Sequence, residues 1–280
     1  MKIEEVTAMQ SATHPALHRK RRILILGGTG DASQLAARFS GKSDLTVISS
    51  LAGRVEQPAT PAGIVRIGGF GGVAGLIVYL AMQRIDAVID ATHPFATKIS
   101  SHAELACKQT RVPLIALERP AWTAQAGDHW VQVPDIESAA VLVNKPNNRV
   151  FLSVGRQQLT HFSECRNAWF LIRAIDHPTV PLPQRSKLIL SRGPFHLDEE
   201  RLLLRRDAIT HIVSKNSGGA ATYAKIQAAR ELGIRVIMVE RPSIVQTNPC
   251  TNIDEVYLRL EELLASQPAL QFEPTETTRL

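Results

Sequence analysis

A chain of 280 residues, 44% hydrophobic and 21% charged, has the composition of a globular protein of one large or two modest domains and excludes a fibre, a repeat tract or a disordered polymer. Lys and Arg outnumber Asp and Glu by 32 to 26, a net charge of +6, so the surface favours an anionic partner. An aromatic content of 5%, with no helix-turn-helix, zinc-finger or RNA-recognition signature, argues against nucleic acid. Apolar runs such as Val73–Met82 fall far short of the roughly 20 residues that cross a bilayer.

Residues 1–21 read as a tail: Glu4 and Glu5 lead to the basic run Arg19-Lys20-Arg21-Arg22 without the apolar region of a secretory signal, and such a run is expected to be a solvated flank. Ile23–Leu26 then reads as a strand entering Gly27-Gly28-Thr29-Gly30, followed by a helix over 32–39. A strand over 45–49, a helix over 75–84, a strand over 87–89, a helix over 99–109 and a strand over 113–117 continue the alternation. A helix over 136–143 stops at Asn144-Lys145-Pro146-Asn147-Asn148, a cluster of turn formers, where a domain boundary is expected. Beyond it, strands are expected at 150–154, 169–172, 188–190, 209–213 and 236–239, with helices at 197–206, 220–232 and 253–264. Fully apolar strands alternating with helices predict parallel sheets covered on both faces. The expectation is an α/β protein of two Rossmann-like domains: a dinucleotide-binding domain over 22–146 and a second over 147–266, facing one cleft, with 267–280 as a tail.

A shift of 122 residues lays Asp90–Ala96, its helix and Leu114–Pro120 over Ile212–Gly218, its helix and Val236–Pro242, both copies ending Glu-Arg-Pro. The three cysteines, Cys107, Cys165 and Cys250, are far apart and never in a Cys-x-x-Cys pair, which reads as structural thiols in a reducing cytoplasm.

The chemistry-bearing residues lie at predicted strand ends. Gly28-x-Gly30-x-x-Ser33 follows a strand and opens a helix, where glycines let backbone approach a pyrophosphate at a helix N-terminus. An NAD site places a carboxylate about 20 residues further on to hold the ribose 2′-hydroxyl. This chain has Ser49 and Ser50 there, followed by Arg54; hydroxyls and a guanidinium suit a 2′-phosphate, which favours NADP(H). His93, in Asp90-Ala91-Thr92-His93-Pro94, donates a hydrogen bond or a proton, or caps the next helix ahead of Pro94. Ser191-Arg192-Gly193 occupies the corresponding edge in the second half, as does Lys215-Asn216-Ser217-Gly218-Gly219, which reads as an anion nest beside a lysine or as a glycine-rich helix entry. No Gly-x-Ser-x-Gly elbow, His-Glu-x-x-His helix or Walker sequence occurs, and no tyrosine has a lysine four residues later. Hydrolase, zinc-protease, P-loop and standard short-chain carbonyl reductase chemistry are therefore disfavoured.

Taken in order, Gly27-Gly28-Thr29-Gly30-Asp31, Ser50–Arg54, Gly68-Gly69-Phe70-Gly71-Gly72, Asp90–Ala96, Glu118-Arg119-Pro120, Ser191–Phe195, Lys215–Gly219 and Glu240-Arg241-Pro242 resemble the precorrin-6A reductases of cobalamin biosynthesis, from about Arg22 to Ser243. The family often carries Glu where Asp31 stands. The resemblance implies NADPH-dependent reduction of one macrocycle double bond in precorrin-6A, or its cobalt-bearing equivalent, to the precorrin-6B level, in a cleft between two α/β domains. It implies cofactor contacts from Gly27–Asp31, Ser49, Ser50 and Arg54. Substrate contacts would come from Thr92, Arg119, Ser191, Arg192, Gly193, Asn216, Ser217 and Gly218, with His93, Lys215 or water delivering a proton. No metal, nucleic acid or membrane is expected, and transient contact with neighbouring pathway enzymes is compatible with it. A reductase of another polycarboxylate and a non-catalytic dinucleotide-binding sensor are the rival readings.

Overall fold

A computed structural model describes residues 19–53, 55, 60–242 and 248–266. The first sheet comes from β1 (Arg21–Leu26), α1 (Gly30–Ser40), β2 (Leu45–Leu51), β3 (Ile64–Ile67), α2 (Gly72–Met82), β4 (Ala87–Asp90), α3 (Thr97–Thr110) and β5 (Leu114–Ala116). Its strands are parallel in the order β3-β2-β1-β4-β5. The central strand β1 is buried on both faces: Ile23 and Ile25 pack with α1, Leu24 and Leu26 with α2 and α3. That two-sided burial is why Ile23–Leu26 is uniformly apolar rather than alternating.

The second sheet comes from β6 (His129–Val133), α4 (Ile136–Val143), β7 (Arg149–Ser153), a 3₁₀ stretch (Arg156–Phe162), β8 (Trp169–Ala174), β9 (Ser186–Leu190), α5 (Leu197–Arg206), β10 (His211–Lys215), α6 (Ala224–Glu231) and β11 (Arg235–Val239). Its order is β6-β11-β10-β7-β8-β9, again parallel. The last helix, α7 (Ile253–Ser266), returns to the first sheet, where Tyr257 stacks on Phe39 of α1 with centroids 5.4 Å apart and Val256 and Leu260 enter the α1 core.

The boundary expected after Val143 therefore moves. β6 pairs with β11 and α4 buries Ile136, Ala139, Ala140 and Val143 in the second core, so the chain crosses into the second domain between β5 and β6 and crosses back after β11. The turn formers at 144–148 merely link α4 to β7. The two Glu-Arg-Pro triplets are these two crossings, and the 122-residue echo superposes β4-α3-β5 on β10-α6-β11. The basic run also differs from a solvated flank: Arg19 pairs with Asp86 at 2.5 Å, and the Arg22 backbone N–H donates to the same carboxylate at 2.6 Å. Cys107, Cys165 and Cys250 are free and buried, and burial pushes the Cys107 thiol up to about 12, fitting an inert structural thiol. Among the described residues no helix is long and apolar enough to cross a membrane, and no group of His, Cys, Asp and Glu has a metal-holding arrangement.

Candidate active site

The glycine turn sits where strand order reverses between β1 and β4, the position at which open α/β sheets form a ligand crevice. Thr29 is the N-cap of α1: its Oγ1 accepts from Ala32 N–H at 3.1 Å and donates to the Ala91 carbonyl at 2.7 Å, so one hydroxyl fixes the helix start against the end of β4. Gly27 N–H donates to Ser50 O at 3.0 Å, tying the turn to β2. Gly28 has φ +101, and no heavy atom lies within 4 Å of where a Cβ would stand on Gly28 or Gly30. The start of α1 is thus bordered by open space rather than by side chains, which fits a dinucleotide pyrophosphate at a helix N-terminus.

The strand read at 45–49 runs on to Leu51, so Ser50 as well as Ser49 lies inside β2. The Ser49 Oγ is buried with no hydrogen-bond partner, and Ser50 Oγ accepts from Arg66 Nη1 at 2.8 Å. Arg54 lies outside the described residues. Arg66 was not singled out by the sequence, because its strand has too few buried positions to announce itself.

Asp31, in the first turn of α1, pairs with Arg119 at 2.5 Å, while Arg119 Nε donates to Ser217 O at 3.0 Å. The start of the helix that frames the glycine turn is thereby linked through Arg119 to the second domain. Arg241 completes the junction, donating through Nε to Asn216 O at 2.7 Å and through Nη1 to Arg119 O at 2.7 Å. A cavity of about 650 Å³ opens here, lined by Asp31, Arg38, Arg119, Gly219, Asn252 and Asp254.

The segment after Lys215 is less open than an anion nest. Asn216 uses its side chain on the backbone of Trp122, accepting from N–H at 2.8 Å and donating to the carbonyl at 3.0 Å. A Cβ on Gly218, at φ +64, would overlap the Pro120 carbonyl, and one on Gly219 would lie 3.1 Å from Arg119 Cδ. These glycines exist because two stretches of chain pass very close, and Ser217 is buried in that contact. Thr92 likewise turns inward, its Oγ1 bonded to Asp90 Oδ1 at 2.7 Å and 3.2 Å from Ser100 Oγ. Ser191, Arg192 and Gly193 are exposed at the end of β9.

His93 and Lys215 both lie against Phe95. The His93 ring is 5.6 Å from the Phe95 ring, and Lys215 Nζ lies 4.7 Å above the same ring from the other domain. Burial, then the charges of Lys215, Arg119 and Arg241, push the His93 imidazole down to about 3. Its Nδ1 accepts from Phe95 N–H at 3.2 Å, which assigns the neutral ring's proton to Nε2. His93 is therefore a neutral hydrogen-bond donor at pH 7 and not an imidazolium acid. Because the folded value lies below the unfolded 6.5, the unfolded chain binds the extra proton and stability falls as pH drops from about 6.5 towards 3. His93→Gln should lose less stability than the parent between pH 7 and pH 4.5 in urea unfolding; equal losses would remove His93 from this linkage.

Two parallel-sheet units with a glycine-rich strand-to-helix turn at the switch point define a two-domain, Rossmann-like α/β protein. The chain belongs to the precorrin-6x reductase family: the model of Precorrin-6x reductase CbiJ/CobK matches residues 22–261. It is 48% identical over 223 residues to the precorrin-6A reductase of Rhodococcus erythropolis, spanning 80% of this chain and 90% of that one. It is 44% identical over 236 residues to the precorrin-6A reductase of Rhodobacter capsulatus, spanning 84% and 94%. A solved structure of CobK precorrin-6A reductase aligns with TM-score 0.83 and 42% identity, over 90% of this chain and all of the other.

Proposed function

We propose that this protein uses NADPH to reduce one double bond of the macrocycle precorrin-6A to the precorrin-6B level in cobalamin biosynthesis. The observation that carries the reading is the open glycine turn at the α1 N-terminus, joined through Asp31 and Arg119 to a junction rich in cationic side chains, in a chain of the precorrin-6x reductase family. NADPH, when bound, supplies the hydride. The chain supplies alignment and charge. Gly27–Gly30 and the first turn of α1 would hold the pyrophosphate, with Ser49 and Ser50 at the end of the strand that would read the adenosine ribose. The substrate carries acetate and propionate carboxylates, which suit Arg192 on its exposed loop and Lys215 at the junction. His93 offers Nε2–H as a neutral donor, leaving the Lys215 ammonium as the group suited to delivering a proton or stabilising charge in the transition state.

Mixing protein, NADPH and metal-free precorrin-6A, with cobalt-precorrin-6A in a parallel arm, tests the reading by cofactor oxidation. Turnover with the metal-free macrocycle is expected, and NADPH oxidation with neither would sink the proposal. Lys215→Ala should lower kcat about 10²-fold while NADPH titrates as in the parent. An unchanged kcat would take Lys215 out of the chemistry.

A further inference from the structure

β3 is short and at the sheet edge, yet it carries a basic residue in a built setting. Arg66 is the register partner of Ser50 on β2. Its Nη1 donates to Ser50 Oγ at 2.8 Å and to Gly68 O at 2.9 Å, and its Nη2 to Gly69 O at 3.0 Å. The guanidinium lies against the Phe70 ring, 3.8 Å from its centroid, with Tyr79 of α2 5.0 Å away. Two glycine carbonyls, a serine hydroxyl and an aromatic face thus hold one charge at the carboxyl edge of β2 and β3. An arginine that only needed solvent would not require that setting; the geometry is that of a prepositioned planar cation with an exposed margin.

In a sheet of this order, a dinucleotide leaves the α1 turn across β1 and its adenosine ribose lies over the end of β2, the place where Rossmann-type folds carry the group that tells a 2′-hydroxyl from a 2′-phosphate. Asp or Glu is absent from that end of β2, whose last residues are Ser49, Ser50 and Leu51. The Arg66 guanidinium is already hydrogen-bonded to Ser50. We infer that Arg66 reads the 2′-phosphate of NADPH, with Ser50 beside it, and that the Arg66–Phe70 stack forms the wall against which the adenine packs. This assigns to Arg66 a specificity role on a different strand from the serines, and it rests on the proposed use of NADPH.

Binding of 2′,5′-ADP and 5′-AMP, measured by calorimetry on the full chain, separates the role of Arg66 from the choice of cofactor without any turnover. The parent should prefer 2′,5′-ADP. Arg66→Gln keeps amide hydrogens for the glycine carbonyls but removes the charge, and should weaken 2′,5′-ADP about 10- to 100-fold while 5′-AMP stays within about twofold. Arg66→Lys, which keeps charge but loses the planar fork and the stack, should fall between the two and serves if the glutamine variant melts early. Retention of the parent's preference by a folded Arg66 variant overturns the inference alone. A parent that binds both nucleotides equally overturns the NADPH reading and the inference with it.

Discussion

Gly30→Val should leave the protein folded and remove its dinucleotide binding. No heavy atom stands within 4 Å of a Cβ at Gly30, and its backbone is outside the left-handed region, so a branched side chain at the first residue of α1 costs less than about 1 kcal/mol of helix propensity. On the proposed reading, the side chain would fill the space that a pyrophosphate needs to reach the α1 N–H groups. Affinity for NADPH should drop on the order of 100-fold or more, equivalent to about 3 kcal/mol, with the melting temperature near that of the parent. Gly28 is the less informative position, because φ +101 adds backbone strain of about 1–3 kcal/mol for valine. Normal NADPH titration by a folded Gly30→Val protein would place the cofactor elsewhere.

Glu200→Ala should be among the most destabilising single changes in the second domain. Glu200 of α5 pairs with Arg173 of β8 at 2.6 Å, with side chains 1% and 7% exposed. Removing one member of a buried pair leaves an uncompensated charge and costs about 3–5 kcal/mol. Arg173 also lies 3.9 Å above Phe195, and a Cβ on Gly193 would meet that ring at 3.1 Å. Loss of Glu200 should therefore loosen the Ser191–Phe195 loop and raise the KM for the macrocycle more than it changes kcat. Denaturant midpoints and steady-state kinetics measure both effects, and an unchanged midpoint would refute the first. Replacing Arg173 by Met and Glu200 by Leu together should recover much of the loss.

A third charge, Lys225, is buried nearby and donates to Thr222 O at 2.8 Å; burial pushes its ammonium down to about 7 against the raising influence of Glu200. Between that value and the unfolded 10.5 the unfolded chain binds the extra proton. This group's contribution should make the parent more stable as pH rises through that window, with its full cost present below pH 7.

The strands most legible are those buried on both faces; the edge strand β9 was legible only through its short apolar run Leu188-Ile189-Leu190. Ile23–Leu26 and Val150–Leu152 are apolar runs because helices cover each side. β3 and β6 were not legible: Ile64 and Ile67 are 51% and 60% exposed, and His129-Trp130-Val131-Gln132-Val133 is an edge strand with little alternation to read. The helix spacing of 253–264 announced α7 but not which sheet it covers, since its partner Phe39 lies on α1, more than two hundred residues earlier. The glycine turn could be read as chemistry because strand, glycines and helix are consecutive. The Asp31–Arg119 and Arg66–Ser50 contacts could not, because residues far apart in sequence meet only after β-strand order is set. Gly218 and Gly219 were visible as glycines, but the cause, a neighbouring crossing of the chain, was not.

That pair of crossings has a mechanical meaning. A single connection would let the two sheets swivel in any direction. Two connections, running side by side and stapled where Arg241 Nη1 reaches the Arg119 carbonyl at 2.7 Å, act as two knuckles on one door. Any motion that parted the two sheets would have to break this staple, the Arg119 bond to Ser217 O and the seat of Phe95 against the second core. Asp31, at the head of α1, grips Arg119 from the glycine-turn side, so the start of the helix is tied to the same latch that joins the two crossings.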